Sequence, residues 1–238
     1  RNTVYTGSYD SVITRWNVDT GDNDVIPGTG HSNQINGLSV QGNNIVSVGM
    51  DDSIRVTPLD GEYGDSAAVD SPAKGVAGKG DVSVVATLKS VYLFNGLKQV
   101  QQLSAAWGPQ AVALNPEGSV AAVGGGDDNK VHLYSVSGNT LKEINVLSRH
   151  SRSVTAVSFS PDGKYLASAD QKNEIILWNT NTWEIVEEGW CFHTGSVKSL
   201  AWSPNSQRLA SASLDQCVIV WSLADRHNHI RIPNAHRG

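Results

Sequence analysis

Two stretches near the C-terminus, His150 to Trp178 and His193 to Trp221, carry the same residues at the same offsets. Each has a histidine, a valine four positions on, an aromatic at nine, a serine at eighteen and a tryptophan at twenty-eight. Each also contains Ser-Pro and Leu-Ala-Ser. A repeat of about 40 residues that closes on tryptophan marks a propeller blade, a unit that cannot bury its apolar faces alone and must stack on copies of itself.

The unit also reads as four strands. Residues 153–160 (SVTAVSFS) alternate apolar and polar side chains and end at Pro161-Asp162-Gly163, a turn whose proline cannot donate a ladder hydrogen bond. The short β-rich runs 165–169 (YLASA) and 174–178 (EIILW) follow, and Trp183 to Val186 supplies a fourth. Four short strands in a meander make one blade.

Scored against this template, the closing-aromatic slot falls on Trp16, Thr57, Phe94, Tyr134, Trp178 and Trp221, at steps of 41, 37, 40, 44 and 43 residues. The third unit has only strand pattern and spacing to mark it. The fold class expected is all-β, a WD40-type β-propeller with five complete four-stranded blades and a partial one. The predicted divisions are a partial blade at 1–28, blades at 29–70, 71–104, 105–147, 148–190 and 191–233, and the start of a truncated blade at 234–238. The run 3–7 already sits in a second-strand slot, and residues 234–237 open another repeat. The expectation is a segment of a longer polypeptide.

His193, Ser211, Asp215 and Trp221 occupy the slots of a structural hydrogen-bonded tetrad. A hydrolase reading fails on position, since a nucleophilic serine needs an exposed, strained turn and Ser211 lies inside a predicted strand. In the other clear repeat Lys172 takes the slot of Asp215, so the tetrad forms there only if Asp170 or Asn173 reaches in. His31, Ser47 and Asp51 keep three members but end in Thr57. Thr6, Asp10 and Trp16 lack only the histidine, and units three and four lack histidine and serine altogether.

Gly78-Lys79-Gly80 and Gly124-Gly125-Gly126-Asp127 lead into no helix and read as turns, not phosphate loops. His227 and His229 share one face of a predicted strand and would need further donors to hold a metal. The carboxylates form no convergent acid/base pair. No catalytic residue, cofactor or metal is expected. Cys191 and Cys217 lack paired spacing and read as buried free thiols. The net charge of −5 argues against nucleic acid as the main partner, and the apolar runs are far shorter than the ~20 residues of a membrane helix. Protein partners are favoured. The loops that share one face in such a fold, between fourth and first and between second and third strands, carry Asn33, Trp107, Gln110, Arg152, Lys172, Phe192 and Leu214. Trp, Arg and exposed apolar residues are hot-spot types. The competing reading is packing between blades for Trp107 and Phe192, and solvated charge for Arg152 and Lys172.

The chain resembles WD-repeat propellers generally. Residues 7–23 (GSYDSVITRWNVDTGDN), 28–40 (GTGHSNQINGLSV), 190–204 (WCFHTGSVKSLAWSP) and 231–237 (RIPNAHR) narrow that to the second half of the actin-interacting protein 1 family. The resemblance implies seven-bladed propellers, a non-enzymatic role in cofilin-dependent actin filament disassembly, actin and cofilin as partners, and a cytoplasmic, cytoskeleton-associated location. It transfers no binding residue, because the family's better-attested actin and cofilin contacts lie on its first propeller. The alternative reading is an adaptor or scaffold of another complex, such as a ubiquitin-ligase substrate receptor.

Overall fold

The computed structural model describes residues 2–225 and 228–235. His227, His236 and Arg237, singled out above, lie outside them. Among the described residues every regular element is a strand, and no helix is long and apolar enough to cross a membrane. The chain divides into two compact units, Arg1–Pro109 and Gln110–Gly238.

The first unit holds three antiparallel meanders. The first is three-stranded, β1 (Thr3–Gly7), β2 (Ile13–Asn17) and β3 (Asn23–Val25). The second comprises β4 (Ile35–Gln41), β5 (Asn44–Gly49), β6 (Ser53–Pro58) and β7 (Ser66–Ala68), and the third β8 (Ala73–Lys79), β9 (Val82–Thr87), β10 (Ser90–Asn95) and β11 (Lys98–Ser104). The unit that only spacing marked is thus a complete four-stranded sheet. Its step is the shortest, and β8 turns into β9 within it through two residues, Lys79 pairing with Val82 around Gly80 (φ 61°).

The second unit holds three further meanders, β12 (Pro109–Leu114) to β15 (Thr140–Leu147) through β13 (Val120–Gly125) and β14 (Val131–Ser137); β16 (Val154–Phe159) to β19 (Ile185–Glu187) through β17 (Tyr165–Asp170) and β18 (Ile175–Asn179); and β20 (Val197–Trp202) to β23 (His229–Ile232) through β21 (Arg208–Ser213) and β22 (Val218–Ser222). The six sheets are blades of a WD40-type β-propeller.

Each closing residue lies at an equivalent rung, on the third strand of the four-stranded blades and on β2 of the three-stranded one: Trp16 opposite Val4, Thr57 opposite Ile45, Trp178 opposite Leu166, Trp221 opposite Leu209. The middle strands β5 and β17 are buried on both faces, because neighbouring sheets of their own unit cover them from either side. The apolar clusters accordingly sit between sheets, for example Val48, Ile54, Val76 and Phe94 in the first unit and Leu177, Val197, Leu209 and Trp221 in the second.

Three local readings change. Trp183 does not begin a strand. It takes the turn slot five residues after the closing tryptophan, where the first blade has Gly21 (φ 76°), and it adopts φ 59° itself. A left-handed tryptophan is disfavoured, and packing against the Phe159 and Trp178 cluster holds it there while the strand starts at Ile185. Gly124 and Gly125 lie inside β13 rather than in a turn. A Cβ on Gly124 would stand 2.8 Å from Val154 Cγ1, so the glycine lets β13 approach β16. Lastly, Cys191 is exposed, in the loop before His193, and only Cys217 is buried.

Candidate functional site

The predicted tetrad forms. His193 Nδ1 stands 3.0 Å from Asp215 Oδ2, Nε2 stands 2.8 Å from Ser211 Oγ, and Trp221 Nε1 donates to the same Oγ at 3.0 Å. One direction of donation satisfies all four groups: indole N–H to hydroxyl oxygen, hydroxyl O–H to Nε2, and Nδ1–H to carboxylate. Ser211 is 1% exposed, which leaves no approach for a substrate, and its surroundings are those of a structural link between the entry loop, β21 and β22. His31, Ser47 and Asp51 repeat the arrangement at 2.8–3.0 Å, and Thr57 ends the chain of bonds because it lacks the indole.

Burial alone would push the Asp215 carboxyl up. Donation from the Thr194 backbone, the His193 ring and the Cys217 backbone outweighs it and holds the group at about 2. The carboxyl of Asp51 is likewise lowered, burial being opposed by His31, the Ser32 backbone and Ser53. A carboxyl lowered in the folded state contributes stability that is fully present above its unfolded value of ~3.9 and is lost as pH falls through the folded value. Acid titration of the wild type should therefore show stability falling below about pH 4, with Asp215 supplying at most ~2 kcal/mol of the change. Asp215→Asn should flatten that limb in chemical denaturation measured at stepped pH, at the cost of lower stability near neutrality.

Blades three and four use networks that the sequence did not reveal. In the third, the Asp70 carboxylate accepts from Ser90 Oγ (2.6 Å), Thr87 Oγ1 (2.8 Å), Ser71 Oγ (2.9 Å) and Gln102 Nε2 (3.1 Å), while its backbone N–H donates to the Tyr92 hydroxyl. In the fourth, His132 faces a carboxylate with each ring nitrogen, Glu143 at 2.6 Å and Asp128 at 2.9 Å. The Tyr134 hydroxyl is pushed up by burial and then by the charges of Glu143 and Asp128.

The residues singled out for partner contact fall as follows. In the second unit Arg152, Lys172, Phe192 and Leu214 come to one end of the sheets, all exposed. The loops that carry them are tied together: Gln171 N–H donates to Ser153 O, Leu214 N–H to Ser196 O, and Asn173 Nδ2 to His193 O. Leu214 is 66% exposed and Phe192 49%, the latter tilted against Trp221 and His229 at centroid distances of 5.5 and 4.3 Å. Phe192 therefore both packs and presents a face to solvent. In the first unit Asn33 is exposed, its Oδ1 accepting from the Gln34 backbone, and Trp107 is half-buried. Gln110 is half-buried on β12.

The description "WD domain, G-beta repeat" matches residues 25–57, 141–179 and 189–222, each match ending at or just after a closing slot. The chain is 45% identical over 240 residues to the "66 kDa stress protein" of Physarum polycephalum, covering 99% of this chain and 40% of that one. It is 39% identical over 241 residues to "Actin-interacting protein 1" of Drosophila melanogaster (99% and 39%) and 35% identical over 243 residues to "WD repeat-containing protein 1-A" of Xenopus laevis (100% and 40%). The chain spans about two fifths of the length of these relatives. With the repeats, the blade register and the tetrads, these similarities show a chain of WD40 repeats that is homologous over nearly its whole length to proteins named actin-interacting protein 1, WD repeat-containing protein 1 and 66 kDa stress protein.

Proposed function

We propose that this chain is a non-enzymatic, protein-binding part of an actin-filament-disassembly factor that works with cofilin and associates with the cytoskeleton. The observation that carries the reading is similarity across 99% of the chain to a protein named for interaction with actin. The loop end of the second unit supports it. Leu214 and Phe192 place apolar surface beside the cations of Arg152 and Lys172, the composition of a protein-docking patch rather than of a reaction centre.

The test is co-sedimentation of the full-length protein with filamentous actin, with and without cofilin. Expected is pelleting with actin that increases with cofilin. No pelleting in either condition would refute the reading. Leu214→Arg, at a site too exposed to affect folding, is expected to weaken pelleting at least ~5-fold while the melting transition stays within about 2 °C. Unchanged pelleting would remove this end of the sheets from the interface.

A further inference from the structure

The blade from β16 to β19 departs from its neighbours in one respect. Asp170, two residues after Ser168, replaces the acid that the other tetrads place four residues after serine. Its carboxylate does not complete the hydrogen bond to the histidine. Oδ1 accepts from the backbone N–H groups of Lys172 (2.9 Å) and Glu174 (3.0 Å), while Oδ2 stands 3.5 Å from His150 Nδ1. Both side chains are fully buried, and Nδ1 and Oδ2 have no hydrogen-bond partner. The equivalent separations are 2.9 and 3.0 Å at His31–Asp51 and 3.0 Å at His193–Asp215. Orphaned buried atoms of this polarity are costly.

The spacing has a second meaning. Two ligands each about 2.1 Å from a tetrahedral zinc stand about 3.4 Å apart, too far for a good mutual hydrogen bond and close to the separation observed. Glu174, half-buried, brings a third ligand atom, and the donors of His150, Asp170 and Glu174 lie within 4.8 Å of one another. We propose that His150 Nδ1, Asp170 Oδ2 and the Glu174 carboxylate form a binding site for a zinc-like divalent transition metal, closed in the two blades of His31–Asp51 and His193–Asp215 by a direct histidine–aspartate bond.

The surroundings suit that role. His150 Nε2 meets Ser168 Oγ at 2.7 Å, and Ser168 is fixed by Trp178 Nε1 at 2.8 Å, so the ring is oriented through the nitrogen that does not ligate. The two backbone donors on Oδ1 hold the Asp170 carboxylate with Oδ2 turned inward. One imidazole and two carboxylates neutralise a dication, and imidazole favours zinc and its neighbours over calcium or magnesium.

The test is titration of EDTA-treated, dialysed full-length protein with zinc chloride, read by competition with a chromophoric chelator and by thermal unfolding. Expected is one saturable zinc per chain and a melting transition that rises with zinc. Binding should weaken at least ~10-fold in Glu174→Gln and further in Asp170→Asn. Glu174 is outside the core, so Glu174→Gln decides the matter even where Asp170→Asn does not fold. No saturable binding, or binding and melting shift undiminished in Glu174→Gln, would overturn the proposal.

Discussion

Ser211→Ala should lower the unfolding free energy by about 2–4 kcal/mol. The Oγ atom serves two buried partners at once, His193 Nε2 and Trp221 Nε1, and the site is 1% exposed, so no water replaces it. The protein contains its own graded controls. Ser47 serves His31 alone, because the Thr57 side chain has no N–H to offer, and Ser47→Ala should cost about 1–2 kcal/mol. Thr6 accepts from Trp16, which is 38% exposed, and water can take over that bond, so Thr6→Ala should cost under ~1 kcal/mol. Urea unfolding of the three variants in parallel checks the order Ser211 > Ser47 > Thr6. Equal costs would mean that the hydroxyls matter through volume and not through the bonds they link.

Trp221→Ala should cost about 3–5 kcal/mol. Its indole is 1% exposed and stacks on Trp190 at 4.7 Å with the planes 5° apart, and Phe192 and His229 lean on it from the other directions. Truncation leaves a cavity among rings that cannot collapse together. Trp221→Phe keeps most of the ring and loses the N–H, so it should cost about 1–2 kcal/mol. Trp221 and Ser211 share a bond, and the double variant Ser211→Ala/Trp221→Phe should be less destabilised than the sum of the two. Full additivity in a double-mutant cycle would separate the indole from the network.

The blades were legible wherever the determinants lie within one repeat. Trp178, Trp221, Ser168 and Ser211 sit at fixed offsets, and the alternating runs between turns fix strand and face. The tetrad of His193, Ser211, Asp215 and Trp221 was readable for the same reason. What escaped depends on register and on packing between elements. Glu143 reaches His132 across a ladder whose register slips between Leu133 and Tyr134, and a bulge of that kind leaves no mark in spacing. Asp128 is four residues before His132, a proximity that was visible but carries no meaning until the turn is known. Asp70 gathers hydroxyls from two hairpin-adjacent strands and an amide from a third, with no repeat to align them. Trp183 read as a strand residue because of its β propensity, and the left-handed turn overrode it. Asp170 was a conditional substitute in the tetrad on sequence, and only the 3.5 Å gap to His150 shows that it does not substitute. The exposed Leu214 and Phe192 were read from their loops, while the degree of exposure needed the coordinates.

Histidine, serine, aspartate and tryptophan inside the blades build the architecture, and the partner binding proposed above belongs to the loop surface. The measurement that tests this most directly is actin co-sedimentation of Ser211→Ala beside Leu214→Arg, at a temperature well below the melting transition of either variant. The expected result is that Ser211→Ala, though much less stable, pellets with actin and cofilin within about 2-fold of the wild type, whereas Leu214→Arg, as stable as the wild type, does not. A fully folded Ser211→Ala that loses the interaction, beside a Leu214→Arg that keeps it, would contradict the account.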